Sequence, residues 1–214
     1  MVIDATNLKG YEFPMTDWTD PWPRLGGAPL LDALNTIGGP LGDRADNERI
    51  RRPVDLTDWA KGAGVFDDGA LEAVRGAPDA DGEAALTRFR AFRSAAFSVL
   101  DAARAQTPAP QPELQALSEV IAQAKERAGL TFEDGRVRWR RYGEVRPADF
   151  VTDQLALEAD AFLAGEEIER LRRCRRCSWL FLAPRRGRPR VWCSMALCGN
   201  RDKQARHQAR LRSA

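Results

Sequence analysis

The run CRRCSWLFLAPRRGRPRVWCSMALCGNR, residues 174–201, holds every cysteine of a 214-residue chain: Cys174, Cys177, Cys193 and Cys198. Two close pairs, C-x2-C and C-x4-C, stand fifteen residues apart. Such spacing lets four thiolates surround one Zn2+ tetrahedrally, each pair forming a knuckle. Four incidental free thiols are a poor alternative, because the first 173 residues contain none. Closed coordination by four thiolates leaves no position for a substrate or an activated water. The zinc is therefore expected to be structural, and no residue is assigned a catalytic role.

The segments around the knuckles suggest a small unit. Between them, SWLFLAPRRGRPRVW flanks a Pro, Arg and Gly-rich turn with Trp179, Phe181 and Val191, which reads as a hairpin. After the second knuckle, NRDKQARHQARLR has no β-branched residue and predicts a helix with Asn200 at its N-cap. A knuckle, a hairpin, a second knuckle and a helix make a treble-clef or zinc-ribbon-like module. At about 45 residues its core is too small for independent folding, and metal binding supplies the missing stability.

Net charge hides a strong asymmetry. Residues 170–214 carry fourteen Arg or Lys against the single acid Asp202, a net of +13, whereas the residues before them carry 19 basic and 30 acidic side chains, a net of −11. Two modules with different partners follow. Thirteen of those fourteen cations are Arg, whose planar fork binds phosphate or the guanine edge in a bidentate way. Arg185, Arg186, Arg188 and Arg190 crowd the hairpin turn, and Arg201, Lys203, Arg206 and Arg210 line the last helix; these eight are the candidate nucleic-acid contacts, with double-stranded DNA as the expected partner. RNA or an acidic protein surface is the runner-up, and a solvated face answering the acidic module is the bland alternative. The lone histidine, His207, sits among arginines and offers neither ligand nor base, so a zinc nuclease is disfavoured.

No stretch reaches the roughly 18 to 20 apolar residues that span a bilayer. The N-terminus, MVIDATNLKGYEFPM, lacks a basic region followed by an apolar one. A cytoplasmic protein without a membrane partner is expected.

Upstream of the cysteines the pattern is mostly helical. Residues 1–28 read as an extended segment that tucks Tyr11, Phe13, Trp18 and Trp22 against the body. PLLDALNT, 29–36, predicts a short helix opened by proline, and Pro53 opens another with Leu56 and Trp59 on one face. Residues 67–82 resemble a loop around a helical turn. From Glu83 to Arg104, Ala85, Phe89, Phe92, Ala96, Val99 and Ala103 repeat every three or four residues, as a core helix does. A further helix runs from Leu114 to Gly129, and one opened by Pro147 reaches Phe162 and Gly165. Between these two, LTFEDGRVRW carries the Asp-Gly that a two-residue hairpin turn needs. Pairing Glu133 with Arg136 puts Phe132 opposite Val137 and Leu130 opposite Trp139, so four apolar side chains share one face. The fold class expected is α+β: a mostly helical N-terminal domain over 1–168 with at least one β-hairpin, followed by a zinc-binding domain over 169–214.

Asp32, Asn35 and Thr36 fall at i, i+3 and i+4 on the first helix, with Arg51 as a candidate neighbour. They could grip a small ligand; equally, Asn35 and Thr36 could cap the helix while Asp32 pairs with an arginine.

CRRCSWLFL followed by RVWCSMALCGNRDKQARHQAR resembles the CGNR-type zinc finger, named for the run at Cys198, Gly199, Asn200 and Arg201. LLDALNT, 30–36, with PVDLTDWAKGAGV is similar to the ABATE-type domain that accompanies this finger in stress-induced bacterial transcription regulators. The resemblance implies one zinc at the four cysteines and a DNA-binding role for the finger. Where the family's sequence between the knuckles reads like FLDxSxNxxRRWC, this chain has FLAPRRGRPRVWC, with Ala183 at the acidic position and Val191 at one of the paired arginines. A transcription regulator is expected, in which the N-terminal domain senses a small molecule or protein signal. An enzyme with its site near Asp32, Asn35 and Arg51 is the third and weakest alternative. The oligomeric state stays open, with a dimer among the solutions.

Overall fold

A computed structural model describes residues 22, 24–39, 47–64, 66, 68–133, 135–142, 146–187 and 189–212. In chain order its elements are α1 (Pro29–Leu34), α2 (Pro53–Ala63), α3 (Asp68–Arg75), α4 (Asp79–Ala105), α5 (Gln111–Glu126), β1 (Ala128–Glu133), β2 (Arg136–Arg141), α6 (Phe150–Ala164), α7 (Glu167–Arg170), β3 (Leu171–Arg173), β4 (Leu180–Leu182) and α8 (Asn200–Arg212). The fold is α+β, mostly helical with two small antiparallel hairpins. Two compact units emerge. A helical unit spans Ile50–Ile168, and a cysteine unit joins residues 22–49 to 169–212. The segment 22–49, placed by sequence in the N-terminal domain, thus packs with the cysteines.

In the helical unit, α4, α5 and α6 pack on one another. The spacing on α4 buries Ala85, Leu86, Phe89, Phe92, Ala96, Val99 and Leu100. Helix α6 is buried on most of its circumference, Val151, Thr152, Asp153, Leu155, Ala156, Leu157, Ala159 and Phe162 included, as a central helix must be. Helix α2 adds Leu56 and Trp59, whose indole lies 6.0 Å from the Phe89 ring.

Several boundaries differ from expectation. Residues 68–75 form a helix of about two turns, longer than the helical turn expected within 67–82, anchored by Leu71 and Val74; two buried residues three apart are too short a pattern for periodicity to reveal its length. Helix α4 begins at Asp79, and Asp79 and Asp81 in its first turn complement the helix dipole. Helix α5 stops at Glu126 because Ala128 and Gly129 already pair with Arg141 and Arg140 in the hairpin. Pro147 lies in the turn before α6.

The β1–β2 register is the one the sequence predicts: Glu133 faces Arg136, Phe132 faces Val137 and Leu130 faces Trp139. Asp134 lies outside the described residues, while Gly135 takes the positive φ, 76°, that this turn demands. Among the described residues nothing covers most of the shared apolar face, however: Leu130 is 62% exposed and Phe132 75%.

The cysteine unit is built on β3 and β4, paired with Leu171 opposite Leu182 and Arg173 opposite Leu180. Among the described residues the expected hairpin between the knuckles does not form. Leu180–Leu182 turns back onto the strand that precedes the first knuckle, so Cys174 and Cys177 sit in the connection of the hairpin instead. All three residues of β4 are buried, which requires cover on its second edge. That cover comes from the other end of the chain. The Leu182 amide donates to the Gly26 carbonyl (2.8 Å). The Asn35 amide nitrogen donates to the Leu180 carbonyl (2.8 Å) and the Leu180 N–H donates to Asn35 Oδ1 (3.1 Å), so one side chain stands in for a strand.

Asp32 fixes the same edge by accepting the Gly26 amide on Oδ1 at 2.7 Å. Gly39, at φ 114°, lies flat against Trp179, and a Cβ there would come within 2.7 Å of the indole. The Trp179 N–H in turn donates to the Ile37 carbonyl at 3.2 Å. The expected packing of Tyr11, Phe13 and Trp18 falls outside the described residues; Trp22 is half-buried.

Candidate metal centre and nucleic-acid interface

The turn after β3 brings Cys174 and Cys177 together, helped by the Cys174 amide donating to the Trp179 carbonyl (2.9 Å) and the Arg175 amide donating to the Val191 carbonyl (3.1 Å). The second knuckle is a single wide turn over Met195–Gly199, closed by the Gly199 amide donating to the Ser194 carbonyl (3.1 Å). Ser194 caps this turn, its hydroxyl accepting the Leu197 amide at 3.3 Å. Asn200 is therefore not the N-cap: at φ −65° and ψ −40° it is already helical, and its side chain donates to the Ala196 carbonyl. Gly199 is buried where any side chain would meet the Met195 thioether.

The four Sγ atoms all lie within 4.8 Å of one another. Cys193 Sγ is 3.7 Å from both Cys177 Sγ and Cys198 Sγ. A Zn–S bond of about 2.3 Å implies a tetrahedral S···S edge of about 3.8 Å, so the donor set fits zinc and is far too wide for a disulfide. Crowding makes the thiols unequal. Hydrogen bonds from Cys177, Cys193 and Cys198 pull Cys174 down, and the hydrogen bond to Cys174 pushes both Cys177 and Cys193 up. A bound dication removes that conflict by stabilising four thiolates at once. The protein holds one structural zinc at Cys174, Cys177, Cys193 and Cys198.

Two guanidiniums flank this centre. Arg190 donates to the carbonyls of Cys193 (2.9 Å), Leu25 (3.0 Å) and Leu182 (3.4 Å), and its planar group lies 4.4 Å from the Phe181 ring centroid. Burial pulls its pKa down, while the charges of Cys193, Asp32 and Cys174 work the other way. Arg190 was expected among the nucleic-acid contacts; its donors are instead spent inside the unit, where they tie the second knuckle to β4 and Leu25. Arg49, which the sequence did not single out, donates to the Gly38 carbonyl (2.7 Å) and stacks 5.1 Å from the Trp179 ring. Burial lowers its pKa too, against attraction by Glu48 and Cys177. Both offset the negative charge of a four-thiolate centre.

The remaining expected contacts divide by position. Arg185 and Arg186 are exposed on the loop after β4, and Arg188 lies outside the described residues. Helix α8 has no buried residue at all. On it Lys203 and Arg210 are exposed, Arg201 is half-exposed, and Arg206 pairs with Asp202 at 3.1 Å. Asp32, Asn35 and Thr36 spend hydrogen bonds within the cysteine unit, Thr36 Oγ1 donating to the Ala33 carbonyl at 2.7 Å. Arg51 is exposed and belongs to the helical unit.

Residues 170–211 match a family model described as "CGNR zinc finger". Residues 27–166, well over half the chain, match the ABATE model, described as "Putative stress-induced transcription regulator". The chain belongs to the ABATE family. A search of the curated proteins finds no match. The ABATE match begins just before α1, so its first stretch, LLDALNT included, is part of the unit that holds the CGNR cysteines. In this ABATE protein the motif serves the finger's sheet edge. Among the described residues no helix is long and apolar enough to cross a membrane.

Proposed function

We propose that this protein is a bacterial, cytoplasmic transcription regulator that binds double-stranded DNA through its cysteine unit, with the helical unit sensing the signal that a stress response requires. One observation carries the DNA reading. Helix α8 has thirteen residues and none is buried, and it bears five cations against one acid. A helix with no buried side gains nothing from a core behind it; here it is rooted by Cys198 in the turn just before it, the arrangement of a treble clef, and stands ready to lie along a phosphate backbone. Arg185, Arg186, Arg201, Lys203, Arg206 and Arg210 form the interface, and Arg190 supports it from inside. The family description supports regulation as its purpose. Four thiolates close the zinc's coordination, so the reading includes no enzymatic activity.

The test is a variant with Arg186→Ala, Lys203→Ala and Arg210→Ala, whose side chains are exposed. Each lost phosphate contact is expected to weaken duplex binding by roughly fivefold to tenfold at 0.1 M salt and to lower the salt slope by about one. The zinc content should not change. Equal DNA affinity of the variant and the parent protein, or RNA competing as well as duplex DNA, would contradict the reading.

A further inference from the structure

We propose that the helical unit carries a binding site for a small oxyanion of the phosphate class, at the arginine cluster of Arg88, Arg127, Arg141 and Arg146 around Asp149 and Asp153. This deepens the sensing role proposed above and rests on it for its purpose, but not for its chemistry.

Asp153 is the hub. Its side chain is fully buried on α6, and Arg127 grips it with two bonds, Nε to Oδ2 at 2.7 Å and Nη2 to Oδ1 at 2.6 Å. Arg88 from α4 adds Nη2 to Oδ1 at 3.0 Å. Asp149, one turn earlier, lies 3.4 Å from Arg88 Nε, 3.9 Å from Arg127 Nη2 and 3.4 Å from Arg146 Nε. Those contacts occupy both carboxylates with three arginines.

Arg141, at the end of β2, is held less closely than these three. Its side chain is only 10% exposed, its Nε stands 3.5 Å from Asp153 Oδ2, and its other contact is the Phe150 ring at 5.6 Å. Its Nε and that of Arg88 are both buried without a hydrogen-bond partner. A guanidinium has five N–H donors and no acceptor, and a buried group left in this state calls for an explanation such as an ion. Burial pulls the Arg141 pKa down, Asp153 and Asp149 oppose it, and Arg127 and Arg146 add to it. Glu126 reaches Arg127 only as a weaker, longer-range attraction.

Charge selects the ligand. Among the described residues four guanidiniums meet two carboxylates, an excess of two positive charges, and three of the four guanidiniums are largely out of water while Arg146 faces it. Water could accept the spare N–H groups but could not neutralise them. A phosphate dianion does both, with oxygens spaced for the guanidinium fork. Access is from the side of Arg146, which is 68% exposed, with Arg88 and Arg127 about one-fifth exposed. The cluster draws together α4, the end of α5, the end of β2 and the start of α6, so occupancy would stiffen the junction between the hairpin and the helices.

The test is calorimetric titration of the zinc-loaded full-length protein with inorganic phosphate and, in parallel, with glycerol phosphate, at matched ionic strength. The protein is used as it is and with the Arg186, Lys203 and Arg210 alanine changes, which remove finger cations. Saturable one-site binding is expected in both, weakened at least tenfold by Arg141→Met. Arg146→Ala, a change at an exposed side chain that should leave the fold intact, is expected to weaken it several-fold. Tighter binding of glycerol phosphate would point to a phosphorylated metabolite as the source, and equal binding to free phosphate; both support the site. No saturable binding up to about 10 mM, unchanged affinity in Arg146→Ala and Arg141→Met, or loss of binding in the finger variant would overturn it. DNA affinity, measured separately, would be untouched by any of these failures.

Discussion

A Cys198→Ser chain is expected to bind no zinc and to lose the folded cysteine unit, while the helical unit keeps its helices. The reason lies in what that unit has for a core. Around the knuckles its buried cluster is Leu25, Trp179, Phe181 and Leu197 with Cys174, Cys193 and Cys198, so three ligands are themselves core residues. Structural zinc contributes about 10–16 kcal/mol of binding free energy at neutral pH, as large as the whole stability of an ordinary domain, about 5–15 kcal/mol. One missing thiolate opens the coordination shell and removes the larger part of that. Metal analysis should fall from one zinc per chain to none. Limited proteolysis should then cut in 25–39 as well as in 171–199, because α1 and Gly26 lose the strand edge they cover. Retention of one zinc per chain in both Cys198→Ser and Cys174→Ser would contradict the four-thiolate centre.

Asn35→Ala is expected to destabilise the same unit by about 3 kcal/mol, although the residue lies far from the cysteines in sequence. The change strands a buried N–H and a buried C=O of Leu180, and each unsatisfied group costs about 1–3 kcal/mol. Since folding and metal binding are one equilibrium here, the loss should appear as a zinc affinity roughly a hundredfold weaker in chelator competition. Asn35→Asp should do no better, because its carboxylate would face the Leu180 carbonyl. An unchanged zinc affinity in Asn35→Ala would return the residue to the role of a ligand contact.

That residue also marks where the sequence stopped being legible. The four cysteines announce their chemistry by spacing alone, and Asp-Gly with alternating apolar residues fixes the β1–β2 register. The long repeat on α4 is equally plain. Asn35 gives no such signal: its partner is a backbone group 145 positions away, and a backbone has no side chain to read. The strand β4 is three residues long, too short for periodicity to say which neighbour it pairs with, so its pairing with β3 went unseen. Arg190 and Arg186 look alike in sequence, and only burial separates a structural guanidinium from a surface one. Arg49 hid for the same reason within a polar run. On the hairpin, alternation told which side chains share a face but not whether anything covers it.

The central claim, that a zinc-organised arginine surface binds duplex DNA, is tested most directly by fluorescence anisotropy of the zinc-loaded protein on mixed-sequence duplex DNA across a range of salt. The logarithm of affinity should fall linearly with the logarithm of salt concentration, with a slope of several phosphates at about 0.9 each. No binding at low salt in a sample that retains its zinc would contradict it.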